Sequence, residues 1–249
     1  MKIHNVEQGS GEWLTLRLGI PTASMFHKIL TPKKLEFSAQ ARGYAFRLVA
    51  EKLLNESLDS LDYIDHVQRG KDLEPQAIRM YEFAEEIRTA PVGFITTDDG
   101  RVGATPDRLI VGKPAALEVK CPAPHTHLEY LVDGFGPDYV IQAQGQAYVG
   151  EFDYVDRYSF HPALPPALNK TYRDEAIIGK LRAALDQFFD VRDEIEAKVR
   201  ASGFIEDRSR MMTAFDEMAT QFDADRRTSV GAPKPSAADI KRAAAMFAP

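Results

Sequence analysis

The most constraining feature of this sequence is an apolar run that contains two opposite charges, ALEVKCPAP at residues 116–124. Side chains alternate between the two faces of a β-strand, so Glu118 and Lys120 share one face and the apolar residues beside them share the other. Burying either charge alone is costly. An ion pair on the edge of an amphipathic strand is the simplest interpretation, and a functional site needs support from the surrounding sequence.

The composition fits a folded enzyme and excludes several kinds of site. A chain of 249 residues, 44% of them hydrophobic, is large enough for a sizeable core. The single cysteine, Cys121, excludes a disulfide within the chain, a zinc site built from several thiolates, and an iron–sulfur cluster held by four cysteines. A bound metal would therefore be held mainly by oxygen or by histidine.

The charge distribution indicates which part of the chain faces phosphates. The formal net charge of −6 argues against a uniformly positive surface of the kind that binds nucleic acids. Residues 1–60 nevertheless carry eight Lys and Arg against six Asp and Glu, so this N-terminal quarter is the better candidate. No apolar stretch has the length of a signal peptide or a bilayer span, and we expect a cytoplasmic protein that does not enter a membrane.

The periodicity of apolar residues predicts a mixed α/β chain. Helices are predicted at residues 11–18, 22–30, 38–56, 65–87, 124–133, 138–149, 172–200 and 206–224. Between Pro91 and Pro122 the period becomes strand-like, with turns at Asp99-Gly100 and Gly112-Lys113-Pro114, which indicates an antiparallel meander of about four strands. One more strand is predicted near residues 154–160. This order predicts an α/β core with a helical cap.

Two segments carry further expectations. Pro75 lies inside the helix predicted at 65–87, where it predicts a kink or a new helix start because proline has no amide hydrogen to donate. Residues 228–249 are expected to form a flexible tail with one short helix. That helix has an apolar face, which suits docking to a partner or a neighbouring subunit; a solubilising tail without a partner is the alternative.

The predicted turn at Gly112–Pro114 brings the candidate chemistry together. It folds the strand that starts at Asp107 back beside the strand that ends at Lys120, so Asp107 lies across from Glu118 and Lys120. Two carboxylates and an ammonium group at one strand end form an oxygen-rich site suited to Mg²⁺. Such a site can activate water for phosphodiester hydrolysis and neutralise phosphate charge, and a lysine can orient the water.

The arrangement Pro106-Asp107, ten residues, then Glu118-Val119-Lys120 is similar to the PD-(D/E)xK nuclease signature. The chain resembles the lambda-exonuclease or YqaJ-type viral recombinase family over about residues 12–165, roughly two thirds of its length. Five stretches carry the resemblance in order: EWLTLRLGIPTAS, RGKDLEPQAIRMYE, VGATPDRL, LEVKCP and YVIQAQGQAYV. It implies a restriction-endonuclease-like core, a mixed central sheet flanked by helices with extra C-terminal helices, in a single domain over residues 1–227.

The resemblance also implies roles for the acidic residues and the lysine. It assigns metal ligation to Glu74, Asp107 and Glu118, with the backbone carbonyl of Val119 contributing. It assigns to Lys120 the positioning of the attacking water. Glu74 has its own rationale, since an acid on the helix beside the strands can complete a metal shell.

Further positions match the family's substrate contacts. Arg17 and Ser24 match residues that hold the 5′-terminal phosphate of the DNA, and Thr105 stands where that pocket often has a serine. An arginine fork with hydroxyl donors suits a phosphate monoester. Tyr139 and Gln142 match the family's Tyr-x-x-Gln, which puts Gln142 near the metal and the phosphate.

Three glutamines and two departures from the family pattern add detail. Gln146 follows Gln142 by four residues and shares its helical face, whereas Gln144 is expected to be exposed. Arg108 replaces the usual glycine and can add a phosphate contact. Pro21 precedes the Thr-Ala-Ser turn, where a β-branched residue is common, and stiffens that loop.

The resemblance implies a Mg²⁺-dependent 5′-to-3′ exonuclease that acts on double-stranded DNA ends, with Mn²⁺ as a possible substitute. It would leave a 3′ single strand for an annealing partner protein and act as a homotrimeric ring that encloses the DNA. Two alternatives stay open. One is another nuclease with the same core, either an endonuclease or a 3′-directed enzyme. The other is a DNA-end binding scaffold whose site is vestigial.

Overall fold

The structure is a computed structural model that describes residues 1–58, 64–204 and 216–221, with side chains throughout these ranges except at residues 64–71. The chain divides into two units, Met1–Arg192 and Asp193–Pro249, and every predicted site residue belongs to the first. The boundary predicted at residue 227 and the tail 228–249 lie outside the described residues, so both stay predictions. None of the described helices combines the length and hydropathy that a bilayer crossing requires.

Six α-helices and eight short strands make up the described fold. The helices are α1 Gly11–Arg17, α2 Ala41–Leu54, α3 Ile64–Glu85, α4 Pro124–Val132, α5 Pro137–Val149 and α6 Glu175–Ala201. The strands are β1 Lys2–His4, β2 Thr89–Pro91, β3 Phe94–Thr96, β4 Gly103–Ala104, β5 Arg108–Ile110, β6 Ala115–Lys120, β7 Tyr154–Ser159 and β8 Ala167–Tyr172. A 3₁₀ helix covers Ala23–Lys28, and residues 216–221 are also helical.

The strands form two sheets. The larger has the order β2-β5-β6-β7-β8, in which β6 and β7 run parallel and the other neighbours antiparallel. The smaller is antiparallel with the order β1-β3-β4. Helices α3 and α5 both contact the larger sheet. The expected architecture, a mixed central sheet flanked by helices, is confirmed.

Several element predictions need correction. The prediction of a single meander is wrong, since residues 89–120 form five strands that are shared between two sheets. Four of these strands have only two or three residues, which is too short for the sequence period to reveal their pairing. β1 and β8 were not predicted, and the helix expected from residue 172 begins at Glu175. The second predicted helix is a 3₁₀ helix, and Thr22 stands at its N-cap without a side-chain cap bond.

Pro75 lies within one continuous helix, so the predicted alternative of a new helix start is wrong. The turns that follow Pro75 are held from outside the helix. Ala77 and Tyr81 are fully buried in a cluster with Leu117 and Tyr158, on the face of the sheet that packs against α3. Burial of such large side chains contributes more than the roughly 3 kcal/mol that an internal proline costs.

The opposite face of the sheet is covered by α5, which also packs closely on the 3₁₀ helix. Gly145 permits this approach, since a Cβ atom there would lie 2.4 Å from Cδ2 of Phe26 and 3.1 Å from Cβ of Ala23. Phe26 is fully buried, so its ring can move away only by displacing the residues packed around it. A glycine at this position therefore determines how close α5 comes to the N-terminal segment.

We expect Gly145→Ala to destabilise the protein by about 1–3 kcal/mol, because the new methyl group overpacks the contact with Phe26. Gly179→Ala is the matched control, since Gly179 is an exposed residue of α6 with nothing within 4 Å of its Cβ position. That change should stabilise by about 0.5–1 kcal/mol. Urea denaturation measures both, and equal midpoints for the two variants would contradict the close approach.

Candidate active site

The antiparallel pairing of β5 and β6 brings Asp107 opposite Glu118. Arg108 is in register with Leu117, so Asp107, which precedes Arg108, faces Glu118, which follows Leu117. Two hydrogen bonds hold Asp107 there: its amide donates to the Leu117 carbonyl at 3.1 Å, and the Val119 amide donates to its Oδ2 at 2.6 Å. The left-handed backbone at Gly112, with φ of 77°, makes the predicted turn between these strands.

Glu118 is the centre of the polar contacts on this face of the sheet. Its side chain is buried, with only 5% of its surface exposed. Three donors reach its carboxylate: Lys120 Nζ at 2.6 Å and Gln142 Nε2 at 2.8 Å on Oε1, and Gln146 Nε2 at 2.6 Å on Oε2. The strand run therefore contains an ion pair, as the simplest interpretation predicted, but it is buried beneath α5 and supported by two glutamines.

The carboxylates at this site carry more negative charge than the lysine offsets. Burial raises the pKa of Asp107 well above its ordinary value, and repulsion from Glu118 raises it further, with a smaller contribution from Glu74. Burial opposes the charged form of Lys120, but attraction to Glu118 and Asp107 outweighs this and raises its pKa. Lys120 therefore remains charged at neutral pH.

Glu74 lies on α3 and is half-buried. Together with Asp107 and Arg108 it lines a cleft of about 420 Å³ whose other wall comes from residues 5–8 and 91–93. The guanidinium of Arg108 donates to the side chain and the carbonyl of Thr89 at 3.0 and 3.2 Å. Asp107 therefore borders this cleft on one side and lies opposite the buried Glu118 on the other.

The donor set fits a hard divalent cation. Carboxylate oxygens are the ligands that Mg²⁺ prefers. Burial is the main cause of the raised pKa of Asp107, and a cation would relieve the repulsion from Glu118 that raises it further. Within the described ranges, no three His, Cys, Asp or Glu side chains already form a compact metal-binding group. Both Glu118 oxygens are engaged by Lys120 and the two glutamines instead.

The residues predicted to hold a terminal phosphate also converge. Arg17 donates from Nη1 to the Thr105 hydroxyl at 2.9 Å, two residues before Asp107. Its guanidinium stacks 4.0 Å from the centre of the Trp13 ring, which holds the fork in place. Ser24 is exposed, and its hydroxyl lies 3.3 Å from that of Thr22.

The backbone connects Ser24 to the same region. Thr22 forms a parallel bridge with Gly103, and the Gly103 amide donates to the Pro21 carbonyl at 3.0 Å. The segment that carries Ser24 is therefore attached two residues before Thr105. Arg17, Ser24 and Thr105, which come from two distant parts of the chain, are brought to the β5 side of the site.

Tyr139 and the glutamines of α5 complete the site. The Tyr139 hydroxyl accepts a hydrogen bond from Tyr130 at 2.8 Å, and Lys120 Nζ lies 5.8 Å from the centre of the Tyr139 ring. The expectation that Gln144 is exposed is wrong. It is 2% exposed, donates to the Tyr172 carbonyl and accepts from the Asp174 amide, because α5 is buried on this side also.

Two contributors were not identified as site residues from the sequence. Gln146 binds Glu118 as directly as Gln142 does, and Trp13 supports Arg17. The sequence did contain a sign of each contact, a spacing of four residues on a helix, from Gln142 to Gln146 and from Trp13 to Arg17. The spacing shows a shared face, but only the fold shows that this face meets Glu118 or the phosphate pocket.

Comparison with known proteins shows which structures and which family the chain is similar to. The solved structure of an alkaline exonuclease, LHK-Exo from Laribacter hongkongensis, matches with a TM-score of 0.69 and 28% identity over 78% of this chain and 98% of that one. Its complex with dAMP matches with a TM-score of 0.69 and 29% identity, over the same shares. A phage-related exonuclease from Haemophilus somnus 129PT, at 16% identity, covers 72% of this chain and 96% of its own, with a TM-score of 0.59, and shows the fold alone.

These neighbours have nuclease folds of the restriction-endonuclease-like type, and the present chain shares that fold. No curated protein sequence matches the chain. The model of the YqaJ-like viral recombinase domain matches residues 12–153, which is more than half of the sequence. The chain therefore belongs to the YqaJ-like viral recombinase domain family.

Proposed function

We propose that this protein is a Mg²⁺-dependent exonuclease that digests one strand of linear double-stranded DNA in the 5′-to-3′ direction. The single observation that carries the proposal is the buried Glu118, bound by Lys120 and two glutamines, with Asp107 opposite it across the strand pair. LHK-Exo, at 28–29% identity, is an alkaline exonuclease that has been solved with dAMP. A deoxynucleoside monophosphate is the class of product that such digestion of DNA releases.

In the proposed enzyme, Glu74, Asp107, Glu118 and the Val119 carbonyl would hold the Mg²⁺ ion. When bound, the ion supplies Lewis acidity that lowers the pKa of water and neutralises charge on the phosphate. Lys120 keeps its proton and donates hydrogen bonds, so it orients the attacking water and offsets phosphate charge. Gln142 and Gln146 hold the Glu118 carboxylate in position through their amide groups.

The proposed polarity rests on the phosphate pocket. A terminal phosphate monoester carries more charge than an internal diester, and an arginine fork with hydroxyl donors matches it. Arg17 is stacked on Trp13 and hydrogen-bonded to Thr105, two residues before Asp107, so its guanidinium is already held in place. Holding the 5′ phosphate in this pocket sets the first internal phosphodiester toward the carboxylates.

The proposed partners follow the same function. Digestion from the 5′ end leaves a 3′ single strand, which a single-strand annealing protein would receive. We propose that the enzyme is a homotrimeric ring around the duplex, an arrangement that combines a net charge of −6 with an inner surface of basic residues. The excess of Lys and Arg in residues 1–60 supports the N-terminal quarter as part of that inner surface.

One observation favours a second candidate function. Both Glu118 oxygens are engaged by side-chain donors, as they would be in a DNA-end binding protein that does not hydrolyse DNA. A different nuclease with the same core, such as an endonuclease or a 3′-directed enzyme, can be distinguished from the proposed enzyme by the DNA substrates that it digests. A covalently closed circular duplex has no end and should survive the proposed enzyme.

We expect Glu118→Ala to reduce digestion of a linear duplex in Mg²⁺ by more than about 100-fold. Loss of a residue that only supports a metal ligand costs roughly 10- to 100-fold, and loss of a ligand should cost more. Glu129→Ala, an exposed acid on α4, is the matched control and should digest at the wild-type rate. Wild-type protein that never hydrolyses DNA would instead identify the chain as a binding protein.

A second experiment compares duplexes with 5′-phosphate and 5′-hydroxyl ends. A hydrogen bond to a charged group contributes about 1.5–3 kcal/mol, so we expect a preference of roughly 10- to 100-fold for the phosphate. Arg17→Ala should abolish this preference. Arg42→Ala should retain it, since Arg42 is an exposed arginine that also lies over a ring, that of Phe46. Equal wild-type rates on both ends would remove Arg17 and Ser24 from this role.

Metal dependence is tested with an end-labelled linear duplex. Addition of a chelator should stop label release, and excess Mg²⁺ should restore it, because the proposed ligands are hard oxygen donors. Mn²⁺ should also restore release, since it accepts the same oxygen ligands. Undiminished digestion in chelator would contradict a metal-dependent mechanism.

A further inference from the structure

Arg157 is a buried cation that the proposed mechanism does not use. It lies on β7 in register with Glu118 of the parallel strand β6, and its side chain is 5% exposed. Only one of its guanidinium nitrogens, Nη2, has a hydrogen-bond partner in the described part of the chain, the Asn169 side chain on β8. Nε and Nη1 are buried without a partner among the described residues.

This arrangement is costly for a charged group. Burial lowers the pKa of Arg157 to about 10, and no acidic neighbour contributes in the opposite direction. An arginine carries five donors in a planar fork, and buried donors without partners destabilise the folded protein because they give up their hydrogen bonds to water. A phosphate carries several charged oxygens that accept hydrogen bonds, so a phosphate beside the fork would supply the acceptors that these buried donors lack.

The position of Arg157 relates it to the proposed path of the DNA strand. Thr105 precedes β5, Glu118 and Lys120 lie on β6, and Arg157 lies on β7, so the three positions follow the strand order of the sheet. Neighbouring strands are about 4.8 Å apart. A DNA strand that has its 5′ phosphate on the β5 side and its scissile phosphate at β6 would continue toward β7.

An aromatic ring covers the guanidinium. The centre of the Phe135 ring lies 5.1 Å from Arg157 Cζ, and the ring stacks on Tyr130 at 4.7 Å. Phe135 stands between Gly134, which has φ of 80°, and Gly136, and a Cβ atom at either glycine would meet nothing within 4 Å. Two glycines therefore flank the ring in the short loop between α4 and α5, and their backbone freedom allows the loop to move the ring.

We propose that Arg157 binds a backbone phosphate of the DNA strand beyond the scissile phosphate, and that Phe135 covers this site until DNA displaces the ring. This inference rests on the proposed nuclease function and deepens it. Arg157 would anchor the strand that remains after each cut, on the side of the site opposite Arg17.

The test measures DNA binding in chelator, where no digestion occurs. Binding of a 5′-phosphorylated duplex is followed by fluorescence anisotropy over a series of salt concentrations. One lost phosphate contact lowers the slope of log K against log salt by about 0.9. We expect Arg157→Met to show this change and to bind about tenfold or more weakly, and Arg157→Lys to keep the wild-type slope. Arg182→Met is the matched control, an arginine 5.8 Å from the Tyr148 ring, and should leave both values unchanged.

A second experiment locates the contacted phosphate with the wild-type protein, by replacing single phosphates of the duplex with neutral methylphosphonate linkages. Neutralising the proposed phosphate should weaken wild-type binding and leave Arg157→Met unaffected, whereas neutral linkages elsewhere should affect both proteins equally. An unchanged salt slope in Arg157→Met would assign Arg157 a purely structural role with Asn169. If Arg157→Met does not fold, the methylphosphonate series with the wild-type protein still decides. The proposal would be overturned if no neutral linkage beyond the scissile one weakened binding.

The cover is tested separately by stopped-flow association. Phe135→Ala should bind the duplex faster than wild type, because DNA can reach the guanidinium without first displacing the ring. An unchanged association rate would show that the ring does not cover the site. The results also separate this inference from the function on which it rests. DNA binding that depends on Arg157 without any digestion would contradict only the nuclease, whereas digestion with a wild-type salt slope in Arg157→Met would contradict only the phosphate site.

Discussion

The buried carboxylate of Glu118 is the constraint on which the rest of this structure depends. A charge on a central strand is stable only if its environment supplies hydrogen bonds and an opposite charge. Lys120 supplies the charge from the same strand, and Gln142 and Gln146 supply the hydrogen bonds from α5. Strand and helix must therefore meet in one register, because a displacement of either would take the two amide donors away from Glu118.

The surrounding fold serves to keep that register. Gly145 lets α5 approach the 3₁₀ helix, so the helix that holds Glu118 is also packed against the segment that carries Ser24. On the other side of the sheet, Leu117, Val119 and Tyr158 pack with α3 into an apolar cluster. The strand is thus dry on one face and charged on the other, and the period of two along β6 separates these environments.

Much of the site could be predicted from the sequence because its parts are local. The acid and lysine two residues apart, the glycine turn and the Pro-Asp pair together predicted that Asp107 faces Glu118, and the register agrees. Longer-range features could not be predicted in this way. The two-sheet arrangement of residues 89–120 and the strand β8 depend on pairing between segments whose own periods are too short or too polar to reveal it.

The sequence by itself determined the chemical groups, their local spacing and the family resemblance, because these depend on residue types along the chain. The tertiary structure decided which groups share an environment. It buried Gln144 against β8, turned Gln146 onto Glu118, and enclosed Arg157 beneath Phe135. The physical reason is that burial and electrostatic coupling depend on contacts between distant segments, and no local pattern specifies the dielectric environment of a side chain.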